Sequence, residues 1–141
     1  MSKFSNYLED HIINHMLRNQ AFTPPAAVYL ALFTAVTGLE ADNPSAEAKA
    51  PGVHGYARQA IALDAAAGGN GISANTDIEE FTAAGGDWGA ITHVAIVDHQ
   101  TNVTWGTNVH VLMWGELTVS RTINDGDTLR FAVGDIDITV D

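Results

Sequence analysis

Short runs of β-forming residues, divided by turn residues at intervals of roughly 8–12 positions, are the feature that most constrains the fold of this chain. The runs are residues 26–34, 56–63, 78–82, 90–98, 109–119, 120–123, 128–133 and 136–140. Between two of them, Asn124-Asp125-Gly126 is a strong hairpin signal. About eight strands at this spacing predict a mainly β fold, an antiparallel β-sandwich or a jelly-roll-like barrel.

A single segment ahead of these strands follows the helical period instead. Ser5 is a candidate N-cap, and Arg18 falls in the last turn, where the helix dipole favours a cation. Pro24 and Pro25 end any helical continuation. The sequence therefore predicts an amphipathic N-terminal helix over residues 5–18. Its apolar stripe comprises Leu8, Ile12, Ile13, Met16 and Leu17.

The length suits a single domain over residues 1–141, because domains cluster at roughly 100–150 residues. The sandwich would occupy residues 26–141, interrupted by a long loop over residues 35–55 that follows no period. The central part of this loop, residues 39–53, is rich in alanine, proline and acids, which bury little apolar area. We expect it at the surface, where it is either mobile or in contact with a neighbouring subunit.

The charge balance and composition exclude several functions. Seventeen acids against six bases give a net charge of −11, which repels nucleic acid. The absence of cysteine excludes disulfides and thiolate metal sites. We find no signal-peptide pattern and no apolar run of membrane-spanning length, so we expect synthesis in a cytoplasm and no membrane partner. Charged residues make up 16% of the chain, below the roughly 25% of ordinary domains, which suggests a surface that faces other protein.

Two groups of residues could hold a metal, but each has a simpler explanation. His11 and His15 lie four residues apart on the predicted helix, a spacing that can ligate one ion. Ile12 occupies the glutamate position of a zinc-protease motif, so polar-face histidines are the better interpretation. A cluster of aspartates lacks the spacing of a calcium loop and fits turn chemistry: Asp125, Asp127, Asp135 and Asp137. We expect no metal and no cofactor.

Catalytic motifs are missing from the sequence as well. The serines lie outside any G-x-S-x-G context, and the glycine-rich residues 68–71 lack the lysine of a phosphate loop. We therefore predict that the chain is not an enzyme. Trp114 lies in an apolar run and is expected in the core. Trp88 and Trp105 lie beside glycines and could cover the sandwich ends or contact a partner, the alternative being a glycan site on exposed rings.

Eight stretches occur in an order that carries a family resemblance. They are residues 5–9 (SNYLE), 22–25 (FTPP), 28–33 (VYLALF), 55–60 (GYARQA), 87–93 (DWGAITH), 114–118 (WGELT), 126–131 (GDTLRF) and 134–139 (GDIDIT). In these stretches the chain resembles small bacteriophage virion proteins labelled tail fibre proteins, some of which look like capsid decoration proteins. The resemblance implies a structural, non-enzymatic role and supplies no catalytic residues. Residues 39–53 look longer than the loop usual in that family.

Two classes of function follow from these observations. In the first, the chain is attached to the capsid or tail and stabilises the particle by bridging subunits, as a decoration or cement protein or a fibre component. The alternative is a receptor- or glycan-binding module of a tail fibre. Low charge and the apolar helix favour the first class. We expect a virion location after synthesis in the host cytoplasm, with a homo-trimer or dimer and other virion proteins, such as the major capsid or tail proteins, as partners. The candidate interface residues are Leu8, Ile12, Ile13, Met16, Leu17, Trp88 and Trp105.

Overall fold

The computed structural model describes residues 2–66 and 68–140. One helix, α1 (Asn6–Arg18), and nine strands make up its regular structure. The strands are β1 (Lys3–Phe4), β2 (Tyr29–Phe33), β3 (Gln59–Ala60), β4 (Ile72–Ala74), β5 (Glu79–Thr82), β6 (Gly89–Val97), β7 (Val111–Ile123), β8 (Thr128–Phe131) and β9 (Asp137–Thr139). A short 3₁₀ turn covers Val53–Gly55.

The largest sheet has five strands in the order β1-β7-β6-β2-β3, and every neighbouring pair in it is antiparallel. Two smaller antiparallel ladders, β5 with β8 and β4 with β9, lie outside this sheet. The centre of the large sheet is the pairing of β2 with β6, which runs without a break from Tyr29 opposite Val97 to Phe33 opposite His93. Sequence separation between these strands makes the fold dependent on long-range pairing.

Both faces of β2 are buried, which its uninterrupted apolar sequence predicts. Leu30 and Leu32 face a core that also contains residues of the small ladders, among them Phe81 and Phe131. Ala31 and Phe33 face the opposite side, against apolar residues from the loops and from β6 and β7. The large sheet is therefore one layer, and the small ladders are the other layer of a two-layer β structure.

The helix begins and ends as the sequence predicts. The Ser5 side chain accepts a hydrogen bond from the Leu8 N–H, the bond of an N-cap. Asn19 ends the helix in the left-handed conformation, which asparagine tolerates better than most residues. The mainly β class with a single N-terminal helix is confirmed.

Several strand boundaries differ from the prediction. The two predicted strands over residues 109–119 and 120–123 are replaced by one strand, β7, which begins at Val111 and has a register shift against β6 between Ile91 and His93. Residues 56–63 contain only the two-residue strand β3. The short strands β1 and β4 have too few residues for a period to show, so no sequence pattern predicts them. The second layer is divided into two ladders rather than forming one continuous sheet.

The long loop is more firmly packed than its composition suggests. Leu39 is fully buried, and Asp42 and Ala48 are nearly so. Its backbone also pairs with β2, because the Ala48 N–H donates to the Leu32 carbonyl and the Thr34 N–H donates to the Ala46 carbonyl. The expectation that this loop buries little is wrong, because a few apolar and backbone groups suffice to fix it along the edge of β2.

Candidate functional site

The apolar stripe of α1 remains at the surface. Exposure rises along the helix, from 38% for Ile12 and 52% for Ile13 to 71% for Met16 and 80% for Leu17. Leu8 is the exception, because it packs partly against the core beside Met113. No residue of α1, all of which are described, is fully buried. The amphipathic pattern predicted correctly that these residues share a helix, but among the residues that the structure describes no apolar layer covers Met16 and Leu17.

Polar groups, rather than the apolar stripe, hold the start of the helix. Ser5 is fully buried, its N–H donates to the Leu112 carbonyl at 3.0 Å, and its hydroxyl donates to the Val111 carbonyl. The Asn6 N–H donates to the Glu40 carbonyl at 2.8 Å. The first turn is therefore joined to both β7 and the long loop. Because these bonds are buried or partly buried, leaving one unmade would be costly.

Asp42 is the centre of a second set of contacts under the helix. Its Oδ1 accepts from the Val111 N–H at 2.6 Å, and its Oδ2 lies 2.5 Å from His110 Nδ1. The His110 ring stacks on Tyr7 of α1, with centroids 3.8 Å apart and planes 7° from parallel. Burial of Tyr7, followed by the carboxylates of Asp98 and Asp42, raises the pKa of its hydroxyl. Through the ring of His110, Tyr7 thus joins the helix to Asp42 of the long loop.

The two helix histidines contact backbone oxygens. His11 Nδ1 lies 2.7 Å from the Tyr7 carbonyl oxygen, and His15 Nδ1 lies 3.0 Å from that of Gln20. His11 also packs between the rings of Tyr7 and Phe22, at centroid distances of 4.3 and 4.6 Å. The His11 nitrogen contact therefore lies within the helix, whereas the contacts to Gln20 and Phe22 join the helix to the segment that follows it. Within residues 2–66 and 68–140, no group of three or more His, Cys, Asp or Glu side chains is arranged to hold a metal.

The tryptophans occupy different environments. Trp88 is 2% exposed and lies in the core, where its ring meets Tyr56 edge-on and its Nε1 donates to the His54 carbonyl at 2.9 Å. The proposal that Trp88 offers a surface contact is therefore wrong, because a buried ring cannot reach a partner without unfolding. Trp105 is half-buried, so part of its ring remains accessible to a partner. Trp114 is in the core, as predicted.

An arginine that the sequence analysis did not single out organises the region under Trp105. Arg58 is fully buried and forms a two-pronged ion pair with Glu47, at 2.7 and 2.8 Å. Its remaining terminal nitrogen donates to the carbonyls of His99 and Asn102, both at 2.8 Å. The guanidinium lies 4.8 Å from the centre of the Trp105 ring. This arrangement satisfies a buried charge from every side.

Tyr56 completes this buried cluster. Its hydroxyl donates to Glu47 at 2.9 Å and accepts from the Leu32 N–H at 3.0 Å. Burial, with the nearby Glu47 carboxylate as the next cause, raises the pKa of Tyr56 well above its ordinary value. The cluster joins β2, the long loop and the segment after β6, and its polar atoms are used within the chain. It is a structural centre with no free reactive group, and only its position in the fold reveals it.

The comparison with known proteins agrees with this picture of a structural molecule. A family model described as podophage GP4 fiber I protein gp80 matches residues 3–139. The chain belongs to this family. No curated protein matches the chain. Membership of the GP4 fiber I family indicates a structural role in a phage virion and favours a protein that is not an enzyme. In the part of the chain that the structure describes, no helix is long and apolar enough to cross a membrane.

Proposed function

We propose that this fiber-family protein stabilises a phage particle by bridging neighbouring subunits, and that the exposed face of α1 is its docking element. The face consists of Ile12, Ile13, Met16 and Leu17. The observation that carries the proposal is the contrast within one helix: its first turn is fixed by buried polar contacts, while Met16 and Leu17 are 71% and 80% exposed. A rigidly held apolar face binds with little further loss of conformational entropy.

The energetics favour burial of this face by another protein. Apolar surface removed from water contributes about 25 cal/mol per Å². Residues four positions apart, such as Ile12 and Met16, are neighbours on one side of a helix and can enter the same apolar contact. Lysine is depleted at interfaces, and the whole sequence contains only Lys3 and Lys49. The acidic surface elsewhere can face solvent or a basic patch, so attachment should weaken as salt is raised.

The test is to replace Ile12 and Met16 together with aspartate and measure how much protein remains on purified particles. We expect the double variant to leave the particles while its β structure, followed by far-ultraviolet circular dichroism, is retained. The matched control places aspartate at Val103 and Val133, which are 56% and 60% exposed. Both lie outside the helix, in the part of the described chain from residue 26 onward, which we call the β body. The control should remain bound. Undiminished binding of the helix variant would show that α1 is not the docking element.

Particles that lack the protein provide the second measurement. Bridging predicts that they lose their integrity at a lower temperature than complete particles, and that they fall apart at low salt concentrations that complete particles still withstand. If they withstand heat and low salt equally well, and the free protein binds glycans on an array, the receptor-binding alternative takes the place of bridging. The number of copies per particle then separates a capsid position, with hundreds of copies, from a tail position with few.

A further inference from the structure

The described surface contains a concave site close to α1 that has no occupant within the chain. It is a shallow groove of about 330 Å³ beside the first turn of the helix. A cavity of roughly 150 Å³ already admits a benzene-sized group, so an aliphatic side chain fits this space. The residues that line the groove are Asn6, Val36, Thr37, Gly38, Glu40, Ala41 and Trp114.

The groove is mostly apolar, and a loop closed at Gly38 forms one side of it. Val36 is 46% exposed at its rim, and the nearly buried Trp114 forms its floor. Gly38 has a φ of +79°, and a Cβ at this position would lie 2.1 Å from the Asn43 carbonyl oxygen, so the loop can close only with glycine. The Asn43 N–H donates to the Gly38 carbonyl at 2.9 Å and fixes that closure. The contacts of the loop within the chain thus shape this side of the groove.

We propose that the groove receives Met16 and Leu17 from the helix of a second copy of this chain, so that copies associate head to tail. This proposal rests on the proposed function in one respect, since it uses the same helix face. The chain cannot fill its own groove with these residues. Asn6, at the groove, and Leu17 are eleven helical positions apart, which at about 1.5 Å per residue separates them by roughly 16 Å.

Charge distribution supports a second copy as the occupant. A protein of net charge −11 repels itself unless the meeting surfaces avoid acid against acid. Glu40 is the charged residue among those that line the groove, and Arg18 follows Leu17 directly on the helix. Seating Leu17 in the groove therefore brings a base toward an acid. Lys3 lies 4.9 Å from the centre of the Trp114 ring but does not line the groove.

The geometry also specifies the type of assembly. The helix end and the groove are different surfaces of one molecule, so each copy can give one helix end and accept another. Such contacts form a ring when the rotation closes and a filament when it does not. We expect a closed assembly, either a dimer whose two copies exchange helix ends or a ring of three copies. Met16 suits this role because its flexible thioether side chain adapts to irregular apolar spaces.

A mixing experiment tests the proposal directly. One variant, Met16→Gln with Leu17→Gln, removes the apolar helix end but keeps residues that favour helix. The other, Val36→Asp, blocks the groove. By sedimentation or light scattering, the unmodified protein should form oligomers and each variant alone should be monomeric. The mixture should form one-to-one dimers and nothing larger, because each pair has a single intact helix end and a single intact groove.

A charge exchange provides the second arm. Arg18→Glu and Glu40→Arg alone should each weaken self-association roughly two- to five-fold, the effect of an exposed ion pair, and the combined variant should restore it. A groove variant that self-associates like the unmodified protein would mean that helices pair with each other, and would overturn the proposal. So would an unmodified protein that is monomeric at its highest soluble concentration. If self-association fails in this way while the aspartate variant of α1 still leaves particles, the bridging function stands with a different virion protein as partner.

Discussion

The β body buries a charged side chain, whereas the helix exposes apolar ones, which is the reverse of the usual distribution. In the β body, Arg58 is buried completely, with its charge matched by Glu47 and two carbonyls. In the helix, Leu17 is 80% exposed. The difference teaches that burial follows the availability of partners. The loops around Arg58 supply an acceptor for each nitrogen, whereas residues 2–66 and 68–140 leave the end of α1 without an apolar surface to cover it.

The largest effect on stability is expected from Arg58→Met. The change leaves the Glu47 carboxylate buried without its cation and two carbonyls without a donor. Breaking a buried pair in this way costs about 3–5 kcal/mol in the free energy of unfolding, measured by urea denaturation. Arg130→Ala is the control, because its pair with Glu80 is 3.3 Å long and more than half exposed, and such pairs contribute at most about 1 kcal/mol. Equal losses for the two variants would contradict the central role of Arg58.

Asp42→Ala should have the next largest effect and should act on the helix in particular. The change deprives the Val111 N–H and His110 of their acceptor, and a buried polar group without a partner costs about 1–3 kcal/mol. Hydrogen exchange should increase in α1 and at the start of β7, with β5 and β8 little affected. The exposed Asp10→Ala serves as the control. Uniform loss of protection throughout the chain would show that Asp42 does not hold the helix specifically.

Tyr56→Phe should cost less, about 1–2 kcal/mol, since one hydroxyl with two hydrogen bonds is removed. The variant also tests whether ionisation of the Tyr56 hydroxyl contributes to the pH dependence of stability. The pKa of the Tyr56 hydroxyl is higher in the folded protein than in the unfolded protein. Below about pH 10 the hydroxyl is protonated in both states, and its contribution to the free energy of unfolding is fully present. As the pH rises further, the unfolded protein loses this proton first, and that contribution is lost. The loss of stability above pH 10 should therefore be smaller in Tyr56→Phe than in the unmodified protein. An identical alkaline profile would count against this ionisation.

The smallest effect is expected from Met16→Gln with Leu17→Gln, measured on the isolated monomer. Both side chains are already exposed, and glutamine has nearly the helix propensity of methionine and leucine. The free energy of unfolding should change by less than about 0.5 kcal/mol. Dilute protein is required for this measurement, because association would add stability to the unmodified form. A loss of several kcal/mol would mean that the helix end packs on its own β body.

Local sequence patterns predicted the elements that local physics controls. Ser5 satisfies the first turn of the helix with its own hydroxyl, so the cap could be recognised before any tertiary contact was known. The apolar run of β2 required burial on both faces and was correctly read as a central strand. β1 was missed, because the two residues Lys3 and Phe4 become a strand only through their pairing with Trp114 and Met113.

The sequence predicted the part of the candidate site that depends on local patterns and missed the part that depends on long-range contacts. The periodicity of α1 grouped Ile12, Ile13, Met16 and Leu17 on one helix, and their exposure makes them available to a partner. Trp88 was misplaced, because an aromatic residue beside a glycine fits a surface as well as a core. Arg58 carried no signal at all in the sequence, since its acceptors on Glu47, His99 and Asn102 come from three separate segments.

The sequence by itself therefore determined the mainly β class, the limits of the helix and which residues share its apolar stripe, because these depend on side chains within a few positions of each other. Only the tertiary structure decided that the stripe remains exposed while Arg58 is buried. Burial depends on which surfaces the long-range strand pairings bring together, and those pairings join residues such as Phe33 and His93 that are sixty positions apart in the chain.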